Sequence, residues 1–129
     1  MKLAHLTLPT RDVERTCAFL VKTLGFALLP TPQNSPVLVY WLDLGNDESL
    51  HVFHVDGFEV SPFEREFGRH IALFHPLADF PALKQRLVAE GAELVDEVRR
   101  APFERFFFRE PINGYFFEIV DAEQTPSRV

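Results

Sequence analysis

Apolar and polar residues alternate over residues 3–8, Leu-Ala-His-Leu-Thr-Leu, with Leu3, Leu6 and Leu8 near one face and His5 and Thr7 on the other. Alternation with a period of two predicts a half-buried strand. Thr10 or Asp12 can then cap a helix in which Val13, Cys17, Leu20 and Leu24 recur at helical spacing, and Gly25 stands where a C-cap glycine ends it. Phe26 to Leu29 predict a second strand, and residues 30–36, with three prolines, a loop. Val37 to Leu44 predict a third strand, apolar on both faces. Gly45-Asn46-Asp47-Glu48 predicts a hairpin turn, and Ser49 to Val55 a fourth strand. In that strand Leu50 and Val52 share one face, His51 and Phe53 the other.

An acidic connector over residues 56–67 separates this run from a second one. Arg69-His70-Ile71-Ala72-Leu73-Phe74 alternates again, with His70, Ala72 and Phe74 on one face. Asp79 can cap a helix through Leu83, Leu87 and Val88 that ends at Gly91. Strands follow at Glu93 to Val98, Phe103 to Arg109 and Tyr115 to Val120, with Glu110–Gly114 as a turn and a loose tail over 122–129. The order strand-helix-strand-strand-strand therefore occurs twice. His5 and His70 lie 65 residues apart, Gly25 and Gly91 lie 66 apart, and His51 and Glu118 lie 67 apart. Three landmarks at nearly one offset indicate an internal repeat. The expectation is an α+β domain over residues 1–129, built from two βαβββ modules (about 3–55 and 68–121). Their strands form a curved, cup-like mixed sheet with the helices outside.

The repeat places His5, His51, His70 and Glu118 at equivalent positions on the cup face, in strands whose other face is apolar. A buried carboxylate there is costly unless it is paired or bound to a metal. Two His and one carboxylate with open positions is the donor pattern of non-haem iron, and a fourth imidazole suits manganese, nickel, cobalt or zinc as well. The competing reading is structural: Glu118 can pair with Arg69, Arg105 or Arg109. His54, near a strand end, and His75, before Pro76, read as structural, and Cys17 on the helix stripe reads as a packed thiol. Arg99-Arg100 reads as a solvated turn or as a clamp for an anionic substrate.

Composition narrows the partners. At 47% apolar and 25% charged the chain suits an ordinary globular domain. A net charge of −6 disfavours nucleic acid and anionic membrane, and no apolar run reaches bilayer length. A single Cys and no signal-peptide core suit the cytoplasm. Fourteen Phe against two Tyr and one Trp exceed what one small core needs. Phe53, Phe74, Phe106 or Phe108, and Phe116, with Thr7, are the candidates for walling a substrate pocket.

Ala4-His5-Leu6-Thr7-Leu8, Thr23-Leu24-Gly25-Phe26, Arg69-His70-Ile71-Ala72-Leu73, Phe107-Phe108-Arg109-Glu110-Pro111 and Asn113-Gly114-Tyr115-Phe116-Phe117-Glu118 resemble the vicinal-oxygen-chelate superfamily. That superfamily contains glyoxalase I, bleomycin-resistance proteins, extradiol dioxygenases and fosfomycin-resistance enzymes. The resemblance implies metal ligation by His5, His70 and Glu118. Glyoxalase I of the glutathione type usually carries Glu where this chain has His51, which disfavours that activity. In extradiol dioxygenases the position resembles that of a His assisting oxygen activation. The dioxygenase pattern is incomplete: Arg99-Arg100 and Phe107 occupy a stretch where those enzymes tend to place a His and a Tyr. The turn Glu110-Pro111-Ile112-Asn113-Gly114 is also one residue longer than the usual acid-Pro-x-Gly.

The expected protein is therefore a metal-dependent homodimeric enzyme acting on a small aromatic or hydrophobic molecule with two neighbouring oxygens. Ring-cleaving dioxygenation is favoured, with Fe2+ ahead of Mn2+, Ni2+, Co2+ or Zn2+. His51 is a fourth ligand or the general base, and Glu118 takes part in catalysis as well as ligation. The alternatives are a glyoxalase-like lyase or isomerase, and a non-catalytic drug-binding protein of the bleomycin-resistance type.

Overall fold

The structure is a computed structural model that describes residues 1–124; the expected tail beyond 124 lies outside the described residues. The chain divides into two compact units, Met1–Glu59 and the segment from Val60 onward. The first contains β1 (His5–Thr10), α1 (Val13–Leu24), β2 (Ala27–Leu29), β3 (Val39–Gly45) and β4 (Glu48–His54). The second contains β5 (Ile71–His75), α2 (Phe80–Ala89), β6 (Glu93–Val95), β7 (Arg105–Arg109) and β8 (Phe116–Asp121). The fold is α+β, with two βαβββ modules whose strands group as one four-stranded mixed sheet each. The orders are β1-β4-β3-β2 and β5-β8-β7-β6. In each sheet the first and last strands of the module pair in parallel and the remaining pairs are antiparallel. No helix among the described residues is long and apolar enough to cross a membrane.

Local chemistry explains most element ends. The Asp12 carboxylate accepts the Arg15 amide at 3.0 Å, capping α1. At the other end Gly25 turns left-handed at φ 74°. Asn46 and Asp47 take φ 54° and 61°, the paired left-handed conformation of a two-residue hairpin turn. β3 starts at Val39 rather than Val37, because Ser35 Oγ accepts the Val37 amide and donates to the Val37 carbonyl. Leu3 precedes β1 and is 44% exposed, so it does not join Leu8 in the core. Ala122, in the expected loose tail, donates to the His75 carbonyl at 2.9 Å.

Asp79 departs from expectation. Its side chain makes no cap bond at α2, which starts at Phe80 after a 3-10 turn. Its carboxylate instead bridges Arg86 at 2.8 Å and His75 at 2.7 Å, and these hydrogen bonds hold it down to about 2. His75 is thus structural. Val88, placed by periodicity on the buried stripe, is 55% exposed, whereas Leu83 and Leu87 are fully buried. Cys17 is buried, and burial pushes its thiol up to about 12, leaving it unreactive at neutral pH.

The core of the second unit lies around β8, a central strand buried along its whole length. Phe108 stacks on Phe117 with ring centroids 5.1 Å apart, and Phe106 meets Phe80 of α2 edge-on at 5.1 Å. Gly68 occupies a tight corner just before His70. A Cβ there would stand 2.0 Å from the Phe63 carbonyl oxygen, which already accepts the Arg69 amide. Backbone cannot yield as a flexible side chain does, so Gly68→Ala is expected to lower stability by about 1–3 kcal/mol, as overpacked sites do. Urea unfolding beside wild type measures it.

Candidate metal centre

The two modules place their polar residues at matching points of the strand register. In the first unit Thr7 lies opposite His51 in the parallel pair, and Trp41 lies opposite His51 in the antiparallel pair. In the second unit Ala72 and Phe107 take those two places opposite Glu118. His5 and His70 each precede those first-strand partners by two residues. The sequence repeat is thus a repeat of side-chain placement: His5 corresponds to His70, and His51 to Glu118.

The first unit brings His5 and His51 together. Their rings stack at 4.1 Å, and Trp41 stacks on the other side of His51 at 4.4 Å. Ser49 Oγ lies 3.1 Å from His51 Nε2. Burial, reinforced by the neighbouring His5, lowers the His51 pKa, so its imidazole is neutral at pH 7. Thr7 is exposed and Phe53 half-buried, and both share the alternating face of His51. Beside His51 lies a concavity of about 420 Å³ whose lining includes Leu29, Trp41, Ser49, Asp43, Asp47 and Glu48. His54, of opposite parity, pairs with exposed Asp56 at 2.9 Å.

The second unit brings His70 and Glu118 together, with Nε2 of the ring 3.1 Å from Oε2 of the carboxylate. The outer atoms of this pair are tied as well. His70 Nδ1 lies 3.3 Å from the Arg65 carbonyl oxygen, and Glu118 Oε1 accepts from Arg105 at 2.9 Å. The ring therefore faces an oxygen acceptor at each nitrogen, while a neutral imidazole carries one N–H. Either nitrogen can carry the N–H: on Nε2 it makes a hydrogen bond to Glu118, and on Nδ1 it bonds the Arg65 carbonyl and leaves the Nε2 and Oε2 lone pairs available to a cation. Ligand bonds of about 2.0–2.2 Å at right angles put two donor atoms about 3 Å apart, so the spacing suits neighbouring ligands of one divalent ion. A carbonyl holding the far nitrogen of a ligating His is the usual support for such a ring.

Sequence reasoning left three arginines open as partners for Glu118. The structure selects Arg105. Arg69 pairs with Glu64 at 2.7 Å, and Arg109 donates to the carbonyls of Gly114 and Glu64. Arg99 and Arg100 are exposed on a loop. Of the predicted pocket residues, Phe116 shares the Glu118 face and meets the His70 ring edge-on at 6.5 Å, whereas Phe74 is 46% exposed. Phe108 and Phe106 have the other parity and belong to the core, so neither walls the site. Phe107 lies opposite Glu118, meets His70 edge-on at 5.9 Å and stacks on Phe116 at 5.3 Å, but both rings are buried and back the His70–Glu118 pair from beneath. Among the described residues no three metal-ligating side chains form a ready cluster; each unit holds a pair of its own, His5 with His51 and His70 with Glu118.

The model of the Glyoxalase/Bleomycin resistance protein/Dioxygenase superfamily matches residues 2–119. The chain belongs to that superfamily. No curated protein matches it. Solved structures share its fold. The fosfomycin resistance protein FosX of Mesorhizobium loti superposes with a TM-score of 0.75 at 23% identity, covering 98% of this chain and 95% of that one. A mutant of FosX from Listeria monocytogenes, complexed with Mn(II) and 1S,2S-dihydroxypropylphosphonic acid, gives 0.78 at 20% identity over 98% and 95%. A possible glyoxalase from Bacillus cereus gives 0.69 at 19% identity over 93% and 98%.

Proposed function

We propose that this superfamily member is an enzyme that uses a divalent metal held by His5, His70 and Glu118 to act on a small molecule with two neighbouring oxygens. The observation that carries the reading is the His70–Glu118 pair, whose facing donor atoms lie 3.1 Å apart while their outer atoms are tied down. The equivalence of His5 with His70 in the repeat supports His5 as the third ligand. The Mn(II) in the Listeria FosX complex supports a divalent ion in this fold. When bound, such an ion supplies Lewis-acid polarisation of the substrate oxygens.

The chain's own residues perform the rest. His51, neutral and held between His5 and Trp41, is positioned to take a proton from substrate or water. Phe107 and Phe116 are buried and back the His70 ring edge-on, while half-buried Phe53, on the alternating face of His51, offers the aromatic surface that favours an apolar or aromatic substrate body. Asp43, Asp47 and Glu48 in the lining beside His51 repel a dianion, so a neutral substrate fits better than a phosphonate. We further propose a homodimer in the cytoplasm.

Ring-cleaving dioxygenation is the second reading, favoured by a neutral His51 next to an imidazole ligand. Assays of catechols, α-hydroxy carbonyls and epoxides, with Fe2+ or Mn2+ and with or without oxygen, separate the two. Metal-dependent turnover under argon supports Lewis-acid chemistry. Turnover that consumes oxygen stoichiometrically supports the second. Ligand binding unaffected by metal would favour a drug-binding protein instead.

His51 provides a specific expectation. As general base, its replacement in His51→Ala lowers turnover by ~10²–10⁴-fold while metal content stays at the wild-type level. His54→Ala, on the opposite parity, changes neither quantity. Metal analysis and steady-state rates of the two variants check this.

A further inference from the structure

Arg105 is an enclosed cation of the second unit, its side chain only 4% exposed. Its fork makes four hydrogen bonds. Nη1 donates to Glu118 Oε1 at 2.9 Å, Nε to Glu97 at 2.9 Å, and Nη2 to Glu66 at 2.5 Å and to the Arg99 carbonyl at 2.6 Å. The guanidinium lies over the Phe107 ring, 4.9 Å from its centroid. Glu66 is itself fixed, accepting the Val98 amide at 2.7 Å and the Arg99 amide at 3.3 Å. These bonds also explain why β6 ends at Val95 and not at Val98: the amides that would extend the strand are captured by a carboxylate from the connector.

We propose that Arg105, braced by Glu66, is a positioning residue that fixes the Glu118 carboxylate so that Oε2 alone is offered beside His70 Nε2. The inference rests on the metal-binding reading above. A carboxylate with one oxygen bound in a guanidinium fork cannot rotate to grip a cation through both oxygens, so Arg105 imposes single-oxygen ligation. Only a planar fork can hold Glu118, Glu97 and Glu66 at once; a lysine ammonium is a point charge without that geometry. One guanidinium facing three carboxylates also leaves a local excess of negative charge, which favours a cation beside Glu118.

The test uses wild type, Arg105→Met, Arg105→Lys and Glu66→Gln, each checked for folding by circular dichroism. Mn(II) affinity is measured by electron paramagnetic resonance, and the ligand field by the visible spectrum of bound Co(II). Arg105→Met is expected to weaken Mn(II) binding 10–100-fold, the range for lost supports of metal ligands, and to alter the Co(II) spectrum. Arg105→Lys recovers part of the affinity but not the spectrum, and Glu66→Gln gives a smaller loss with the same spectral change. Wild-type affinity and spectrum in folded Arg105→Met overturn the proposal. Should that variant not fold, unchanged affinity and spectrum in both Arg105→Lys and Glu66→Gln overturn it equally. A wild type that binds neither ion removes the metal reading itself, and this role with it.

Discussion

Replacing Phe108 by Ala is expected to cost about 3–5 kcal/mol, the range for an aromatic ring removed from a packed core. The side chain is fully buried, and its ring lies parallel to that of Phe117 at 5.1 Å. Its backbone pairs with Leu94 on one side and Phe117 on the other, so truncation opens a void in the interior of the β6-β7-β8 sheet. Neighbouring strands cannot collapse into such a void without breaking their ladder, which places the cost at the upper end of the range. A chain of this size should lose on the order of 10 °C in Tm. Phe74→Ala is the control: that ring is 46% exposed, and its removal should change stability by less than about 1 kcal/mol. Denaturant melts of the two variants decide the matter. Equal losses would mean that the core side of the second sheet is assigned to the wrong parity.

The largest functional effect is expected at Glu118. Glu118→Ala removes the oxygen that faces His70 Nε2 and should reduce metal affinity by more than about 100-fold, beyond the effect of losing a supporting residue. Its structural effect should be smaller. Losing one partner of a buried ion pair costs about 3–5 kcal/mol when the remaining charge is stranded. Arg105 is not stranded, because Glu66 and Glu97 still hold it at 2.5 and 2.9 Å. A loss nearer 1.5–3 kcal/mol is expected, roughly that of a single charge-assisted hydrogen bond. Titration calorimetry with Mn(II), beside thermal melts, separates the two effects. A variant that unfolds while keeping its metal affinity would assign Glu118 to structure alone.

The repeat was legible because each module punctuates itself in the same way. A His two residues ahead of the partner position, a helix ended by glycine and a closing polar residue recur at nearly constant offset. Those signals are local, so the elements and the equivalence of His5 with His70 follow from sequence. The ring that backs His70 was not legible in the same way. Residues 105–109 read Arg-Phe-Phe-Phe-Arg, apolar on both faces, and such a run has no period from which to choose the ring that faces Glu118. Only the register against β8 puts Phe107 on the Glu118 face and Phe108 on the opposite one. The Arg105 network was hidden for another reason. Glu66 lies 39 residues from Arg105 in a connector whose acidic composition reads as solvated, and nothing local marks one of its carboxylates as buried. Asp79 misled because an acidic residue ahead of a helix is a good cap, yet Arg86 and His75 compete for the same carboxylate and hold it.

On the reading proposed above, His5, His70 and Glu118 together bind a divalent metal. Equilibrium dialysis of the metal-stripped wild-type protein against Mn2+, Fe2+, Co2+, Ni2+ and Zn2+, with elemental analysis of the retained fraction, tests it most directly. About one ion per chain is expected for at least one of the five, lost in Glu118→Ala and in His5→Ala. Failure to retain any of them, by a protein that melts cooperatively, would contradict the claim.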